Sequence, residues 1–234
     1  MQVTDYFKEL SYGLLSNLSM SGEGSGDIVD AQKNRVVGYM NDALMRIYSR
    51  FSLRERDVVI RQYRHITQYH LDKRYAMFND DRPEANKPYI LDLPAEQFVN
   101  DAIKILKVYD EFGQERVLND SDDPCSLFTP YPTTLQVLVP EEGRPLGVCY
   151  QAKHEELPFN LYTTEVELPT VLEEPFKLLI AHYVFSHMNT ADSSAKAQEH
   201  MLSYETVCLD IEMKGAANIG APASGRKFEK RGWC

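Results

Sequence analysis

Histidines and paired glutamates are the residues of this sequence whose types could support catalysis or metal binding. His182 and His187 lie five apart on a predicted helix, whereas two histidines that share a metal on one helix face are spaced i, i+4. The adjacent glutamates at 141–142 and 155–156 fall in or near predicted turns, where they would be solvated and would not face each other across a cleft. None of these pairs predicts a reactive site.

Two loops have compositions that could bind ions. Gly22, Gly24 and Gly26 follow no predicted strand and precede no Lys-Ser/Thr pair, both of which a phosphate-binding loop requires, so they indicate a linker. The segment 119–132 contains three aspartates without the alternating ligands and terminal glutamate of a calcium loop, and turn chemistry explains it better.

The sequence contains no GxSxG, HExxH, Walker or dinucleotide-binding motif. A Cys–His pair stays open as an alternative, because such partners can be distant along the chain. We therefore predict that the protein is not an enzyme and uses no metal or cofactor.

The composition is that of a globular protein with a strong negative charge. The 234 residues are 43% hydrophobic and 26% charged, and the net charge is −10. This charge argues against general nucleic-acid affinity, which needs a dominant basic surface. The four scattered cysteines include no CxxC pair and predict free thiols in a reducing compartment. We expect no signal peptide and no membrane association, since no apolar run approaches about 20 residues.

Helical periodicity predicts four helices. A short amphipathic helix lies within 1–18, with Thr4 and Asp5 placed to cap it. A longer one runs from Asp27 or Asp30 to Phe51 and repeats apolar residues at steps of three and four. Its apolar face comprises Val37, Met40, Leu44, Ile47 and Phe51.

The stretch 170–213 predicts two antiparallel helices. The first is apolar nearly all round and should be buried; it begins at Thr170 or near Pro175, and both starts stay open. Asp192 or Ser193 would cap the second, whose narrow apolar seam needs one partner surface. That seam comprises Ala197, Met201, Tyr204, Cys208 and Ile211.

Between residues 54 and 169 the pattern changes to period two. The segment 57–71 predicts one long strand or a pair, 89–93 a short edge strand, 102–118 and 135–152 two hairpins, and 164–168 a last strand. Short strands joined by hairpins predict an antiparallel sandwich or barrel.

The C-terminal segment combines cations with aromatic rings. After a stretch rich in glycine and alanine, RKFEKRGWC carries four positive charges against one negative and the only tryptophan of the chain. Arg, Phe and Trp dominate binding hot spots, so we expect an extended arm that anchors a protein interface.

Together these patterns predict an α+β fold. Helices at the N-terminus and a C-terminal antiparallel helix pair would form a helical region, with an inserted β-sandwich or barrel-like domain and an extended C-terminal arm. The predicted boundaries are 1–53, 54–169, 170–214 and 215–234.

Several stretches resemble one protein family. LSNLSMSGEGSGDI, IYSRFSLRERDVVI, KVYDEFGQERVLND, TLQVLVPEEGRPLGVCYQAKH and EEPFKLLIAHYVFSHM are similar to segments of the head-to-tail adaptor, or connector, proteins of short-tailed bacteriophages. The resemblance implies a ring, commonly of twelve copies, beneath the portal, which joins capsid to tail and passes double-stranded DNA without sequence-specific binding. The protein would be part of the virion neck or tail, assembled in the host cytoplasm.

The resemblance also implies residue roles. The C-terminal arm would contact the portal protein, which gives as candidates Arg226, Lys227, Phe228, Lys230, Arg231 and Trp233. Helices packed side by side in the ring would use the apolar seams, which gives as candidates for subunit packing Met40, Leu44, Ile47, Met201, Tyr204 and Ile211. Tail nozzle or other tail proteins would bind the opposite side of the ring.

A ring of chains with charge −10 would have a strongly negative lumen or exterior, and a negative lumen would let DNA slide without adhering. Alternatives are a tail terminator or nozzle component of the same virion and, in a different class, a cytosolic binding module whose seams are intramolecular.

Overall fold

The computed structural model of the chain describes residues 1–16, 18, 27–78, 87–94, 97–188 and 190–217. Helices and antiparallel sheets occupy different parts of the sequence, so the fold is of the α+β class. The chain divides into two compact units: a helical unit of residues 1–53 and 155–234, and a β unit of residues 54–154. The first predicted boundary thus agrees with the division, but residues 155–169 belong to the helical unit and not to the β-rich domain.

The described residues of the helical unit form four α-helices: α1 Val3–Tyr12, α2 Asp30–Arg50, α3 Glu173–Ser186 and α4 Ala191–Lys214. The unit is built around α3, which packs against α1, α2 and α4. The apolar faces predicted for α2 and α4 are confirmed, since their residues are buried, with Met201 half-buried.

The helix ends agree with the predicted ones to within three residues, and α2 begins at Asp30, one of its two predicted starts. Gln2 precedes α1, and the Asp5 carboxylate accepts a hydrogen bond from the Gln2 backbone N–H at 3.2 Å, so Asp5 stabilises the start from inside the first turn. Thr190 caps α4 by accepting from the Ser193 backbone N–H, in place of the predicted Asp192 or Ser193. A 3-10 turn at Thr170–Leu172 leads into α3, which begins at Glu173, between the two predicted starts.

The β unit contains two antiparallel sheets that share one apolar core. The strands are β1 Glu55–Arg61, β2 Gln68–His70, β3 Ile90–Leu91, β4 Ala102–Tyr109, β5 Phe128–Tyr131, β6 Thr134–Gln136 and β7 Pro145–Ala152. The four-stranded sheet has the order β3-β1-β7-β4, and the three-stranded sheet has the order β2-β6-β5. Strands of both sheets contribute to one buried cluster, which includes Val58, Tyr69, Val108 and Leu135.

The strand pairing corrects the predicted hairpin at 135–152 and shortens the one at 102–118. β6 pairs with β2 and β5, whereas β7 lies between β1 and β4, so the segment 135–152 crosses from one sheet to the other. β4 pairs with β7 along its length, and the predicted return strand meets it only at its start, where Tyr109 bridges Glu115 and the Arg116 N–H donates to the Val108 carbonyl at 2.8 Å. The predicted last strand at 164–168 is represented by one bridge, between Glu165 and Gln2, inside the helical unit. The division of 57–71 into two strands and the edge strand at 90–91 agree with the sequence.

Candidate interaction surfaces

Two groups of residues were expected to make protein contacts. The arm candidates Arg226, Lys227, Phe228, Lys230, Arg231 and Trp233 lie outside the described residues. Of the six subunit-packing candidates, five are buried in the core of the helical unit itself. Their partner surface is in the same chain, so the structure does not support a subunit contact made by Met40, Leu44, Ile47, Tyr204 or Ile211. Met201 is half-buried.

An ionic clamp holds α4 against α2. Arg50 of α2 donates to the Glu205 carboxylate at 2.6 Å and to the Glu212 carboxylate at 2.7 Å. Its guanidinium and that of Arg46 both lie over the Tyr204 ring, 5.6 and 5.4 Å from the centroid. The side chain of Arg50 is only 20% exposed, so the clamp lies over a largely covered seam. This arrangement fixes the orientation of α4 about its own axis.

The opposite side of α4 exposes large apolar side chains. Leu202, Leu209 and Met213 are 70%, 52% and 80% exposed, and their spacing of seven and four places them on one face of the helix, here called the outer face. From the sequence we identified only the narrow inner seam of α4 and predicted that its other faces are polar. The same spacing, read over 202–213, would have revealed this second apolar row.

An open groove of about 640 Å³ runs beside the outer face. Among the described residues that line it, two are carboxylates, Glu174 of α3 and Glu199 of α4, and none is a cation. Leu202 and Val207 give it an apolar floor. The lining is completed by Ala195, Gln198, Ser203 and Thr206.

A second exposed apolar pair lies on a loop that α2 holds in place. Asn34 of α2 donates to the Asn160 side chain at 2.8 Å and accepts from the Asn160 backbone N–H at 3.1 Å and from the Tyr162 hydroxyl at 2.9 Å. Asn160 adopts a positive φ of 64°, which asparagine tolerates better than most residues. The loop presents Phe159 and Leu161, both more than half exposed, from a fixed backbone.

The β unit has an apolar tip formed by Phe112 and Val139, each 79% exposed. Both line one small cavity of about 90 Å³, although they come from different loops. The Asp110 carboxylate accepts from the backbone N–H groups of Phe112 and Gln114 at 2.9 Å, which fixes the turn that carries Phe112. The β-unit tip is therefore an ordered exposed patch.

Ionisable groups of the β unit are engaged in structural contacts. Asp101, buried in the β unit, accepts from Arg56 and from the Tyr150 hydroxyl at 3.0 Å each. The Asp120 and Asp123 carboxylates accept from backbone N–H groups two residues further on, which agrees with the turn interpretation of 119–132.

The described thiols and the central histidine of α3 have structural environments. Burial and the nearby Asp57 carboxylate raise the pKa of the Cys149 thiol to about 12, and burial raises the pKa of Cys208. Such thiols are protonated at neutral pH and therefore weak nucleophiles. His182 makes a 2.9 Å hydrogen bond from Nδ1 to the Ala197 carbonyl, which joins α3 to α4. Among the residues the structure describes, no group of three or more His, Cys, Asp or Glu side chains could hold a metal ion.

The candidate sites of this α+β protein are thus exposed apolar surfaces carried on rigid elements. No protein-family model matches the chain, and a search of the curated proteins finds no match. None of its described helices is both long and apolar enough to cross a membrane.

Proposed function

We propose that the protein is a structural component of a virion, a head-to-tail adaptor that forms a ring beneath the portal, joins the capsid to the tail and passes the DNA. The sequence resemblance suggests this role. The structural observation that carries it is the outer face of α4. Leu202, Leu209 and Met213 form an exposed apolar row on one helix, and such a row is typical of a surface that a partner covers.

The geometry of α4 suits contact between copies. Its 24 residues span about 36 Å at 1.5 Å per residue. α4 packs against α3 and is joined to α2 by the Arg50 clamp, which leaves the outer face free. A ring needs such a face on each copy to meet a different face of its neighbour, which is a heterologous interface. We therefore assign the proposed subunit contact to Leu202, Leu209 and Met213 in place of the buried seam.

The other partners follow from the remaining surfaces. The β-unit tip offers Phe112 and Val139 to a tail protein, and the C-terminal residues 226–233 offer cations and aromatic rings to the portal protein. The net charge of −10 per copy suits a ring through which DNA passes without adhering.

The direct experiment mixes the purified protein with the portal ring from the same source and images the product by electron microscopy. We expect a second ring stacked beneath the portal. Leu209→Ser with Met213→Ser should prevent the ring, whereas Tyr12→Ser, which alters an exposed side chain on α1, should not. A monodisperse monomer that does not associate would contradict the proposal.

A tail terminator or nozzle component is the alternative within the virion. It would expose the same kinds of surface, so only the docking partner separates the two. Binding to purified tail proteins, with none to the portal, would favour it.

A further inference from the structure

The groove beside α4 combines an apolar floor with two carboxylates, and nothing described in the helical unit covers it. A ligand that fits it must present apolar groups together with positive charges. Leu202 at the floor is 70% exposed, so an occupant would remove substantial apolar area from water.

The chain itself contains a segment of this chemistry. Residues 226–233 carry Arg226, Lys227, Lys230 and Arg231 against the single carboxylate of Glu229, with the rings of Phe228 and Trp233 interleaved. Cations would face Glu174 and Glu199, and an aromatic ring would cover Leu202 and Val207.

The end of α4 turns the chain back towards the helical unit. Gly215 adopts a left-handed φ of 62°, and the backbone N–H of Ala216 donates to the Ile211 carbonyl at 3.1 Å, which closes the helix in a reversing turn. Ala217, the last described residue, is buried. The described chain therefore ends against the helical unit.

The distances permit contact within one chain. The groove residue Leu202 lies about 16 Å along the helix from Met213, at 1.5 Å per residue. The stretch from 217 to 226 can span about 30 Å when extended, at about 3.3–3.6 Å per residue. A tether of this kind gives an effective concentration on the order of millimolar, which favours the chain's own segment over that of a second copy in dilute solution.

We propose that residues 226–233 bind the groove of their own chain, lined by Glu174, Glu199 and Leu202, and cover part of the outer face of α4 in the isolated protein. The contact is a property of the free chain and does not depend on the adaptor role.

Trp233 makes the proposal testable, because it is the only tryptophan and its fluorescence reports on this segment alone. In the full-length protein we expect an emission maximum at shorter wavelength than that of a solvated tryptophan. Leu202→Ser, and separately the pair Glu174→Lys with Glu199→Lys, should shift the maximum to that of solvated tryptophan. Val139→Ser, which alters a similarly exposed apolar side chain in the β unit, should leave it unchanged.

Circular dichroism would verify that each variant keeps its helices, and two independent changes to the groove guard against a single misfolded variant. Dilution distinguishes binding of the chain's own segment from binding of the segment of a second copy, since binding within one chain does not depend on protein concentration. An emission maximum of solvated tryptophan in the unaltered protein, one that neither groove change moves, or one that shifts on dilution would each overturn the proposal. The portal experiment can fail without affecting this result.

Discussion

The Arg50 guanidinium on α2 donates to the Glu212 carboxylate on α4, with 2.7 Å between Nε and Oε1. The same arginine reaches Glu205 with Nη1, about two helical turns earlier along α4. One side chain therefore fixes both the position and the rotation of the helix that presents the outer face.

Arg50→Ala should lower the free energy of unfolding by about 1–2 kcal/mol, since it removes two charge-assisted hydrogen bonds at a partly covered site. Lys214→Ala is the matched control on α4, because the pair of Lys214 with Asp210 is solvent-exposed and should contribute less than about 0.5 kcal/mol. Urea unfolding monitored by circular dichroism measures both. Equal losses in the two variants would contradict a special role for the clamp.

The clamp should also make stability depend on pH. The hydrogen bond from Arg50 holds the pKa of Glu212 below its usual value. Because the folded pKa lies below the unfolded one, near 4.3, the contribution is fully present above the unfolded pKa and is lost as the pH falls through the folded pKa. The difference in stability between the wild type and Arg50→Ala should be constant from about pH 6 to 8 and should shrink below about pH 4. A difference that persists at low pH would indicate that packing over Tyr204 dominates.

Asn34→Ala should loosen the loop that carries Phe159 and Leu161, because three hydrogen bonds to the loop are lost. Asn34→Asp keeps the two acceptor contacts and loses only the donor contact, so its effect should be smaller. Limited proteolysis at residues 158–162 is the measurement, with faster cleavage expected in the alanine variant. Cleavage at the same rate in all three proteins would show that the loop is held by other contacts.

Phe112→Ser should change the free energy of unfolding by less than about 0.5 kcal/mol, since the ring is 79% exposed. If the β-unit tip contacts a tail protein, the same substitution should weaken binding to the purified tail components. Glu115→Ser offers a polar, exposed control in the same loop. Titration calorimetry would measure the binding, and unchanged affinity would remove the tip from the interface.

The described cysteines should differ in reactivity. Cys125 is exposed, whereas burial raises the pKa of Cys149 to about 12 and also raises that of Cys208. Alkylation of the native protein at neutral pH, followed by peptide mass spectrometry, should label Cys125 and spare the other two until urea is added. Labelling of Cys149 as fast as Cys125 would contradict the burial seen here.

The helices were predictable from the sequence because the inner seams of α2 and α4 repeat at helical spacing over several turns. Sheet partners were not, because alternation identifies a strand without identifying its neighbour. Residues 135–152 alternate like a hairpin, yet β6 and β7 pair in different sheets. Thr190 was missed as a cap because two other residues that can cap a helix, Asp192 and Ser193, follow within three positions. Leu202, Leu209 and Met213 were overlooked because the inner seam alone accounted for the helical spacing of α4.

The insertion of the β unit between α2 and α3 has a consequence for synthesis on the ribosome. All residues of the β unit are consecutive, so it can begin to fold as soon as residue 154 leaves the exit tunnel. The helical unit cannot, because the partners of α2 include α3, which is translated only after the whole insertion. The apolar seam of α2 therefore remains exposed to solvent during elongation. Chaperones that protect the nascent chain in that interval would bind residues 30–51.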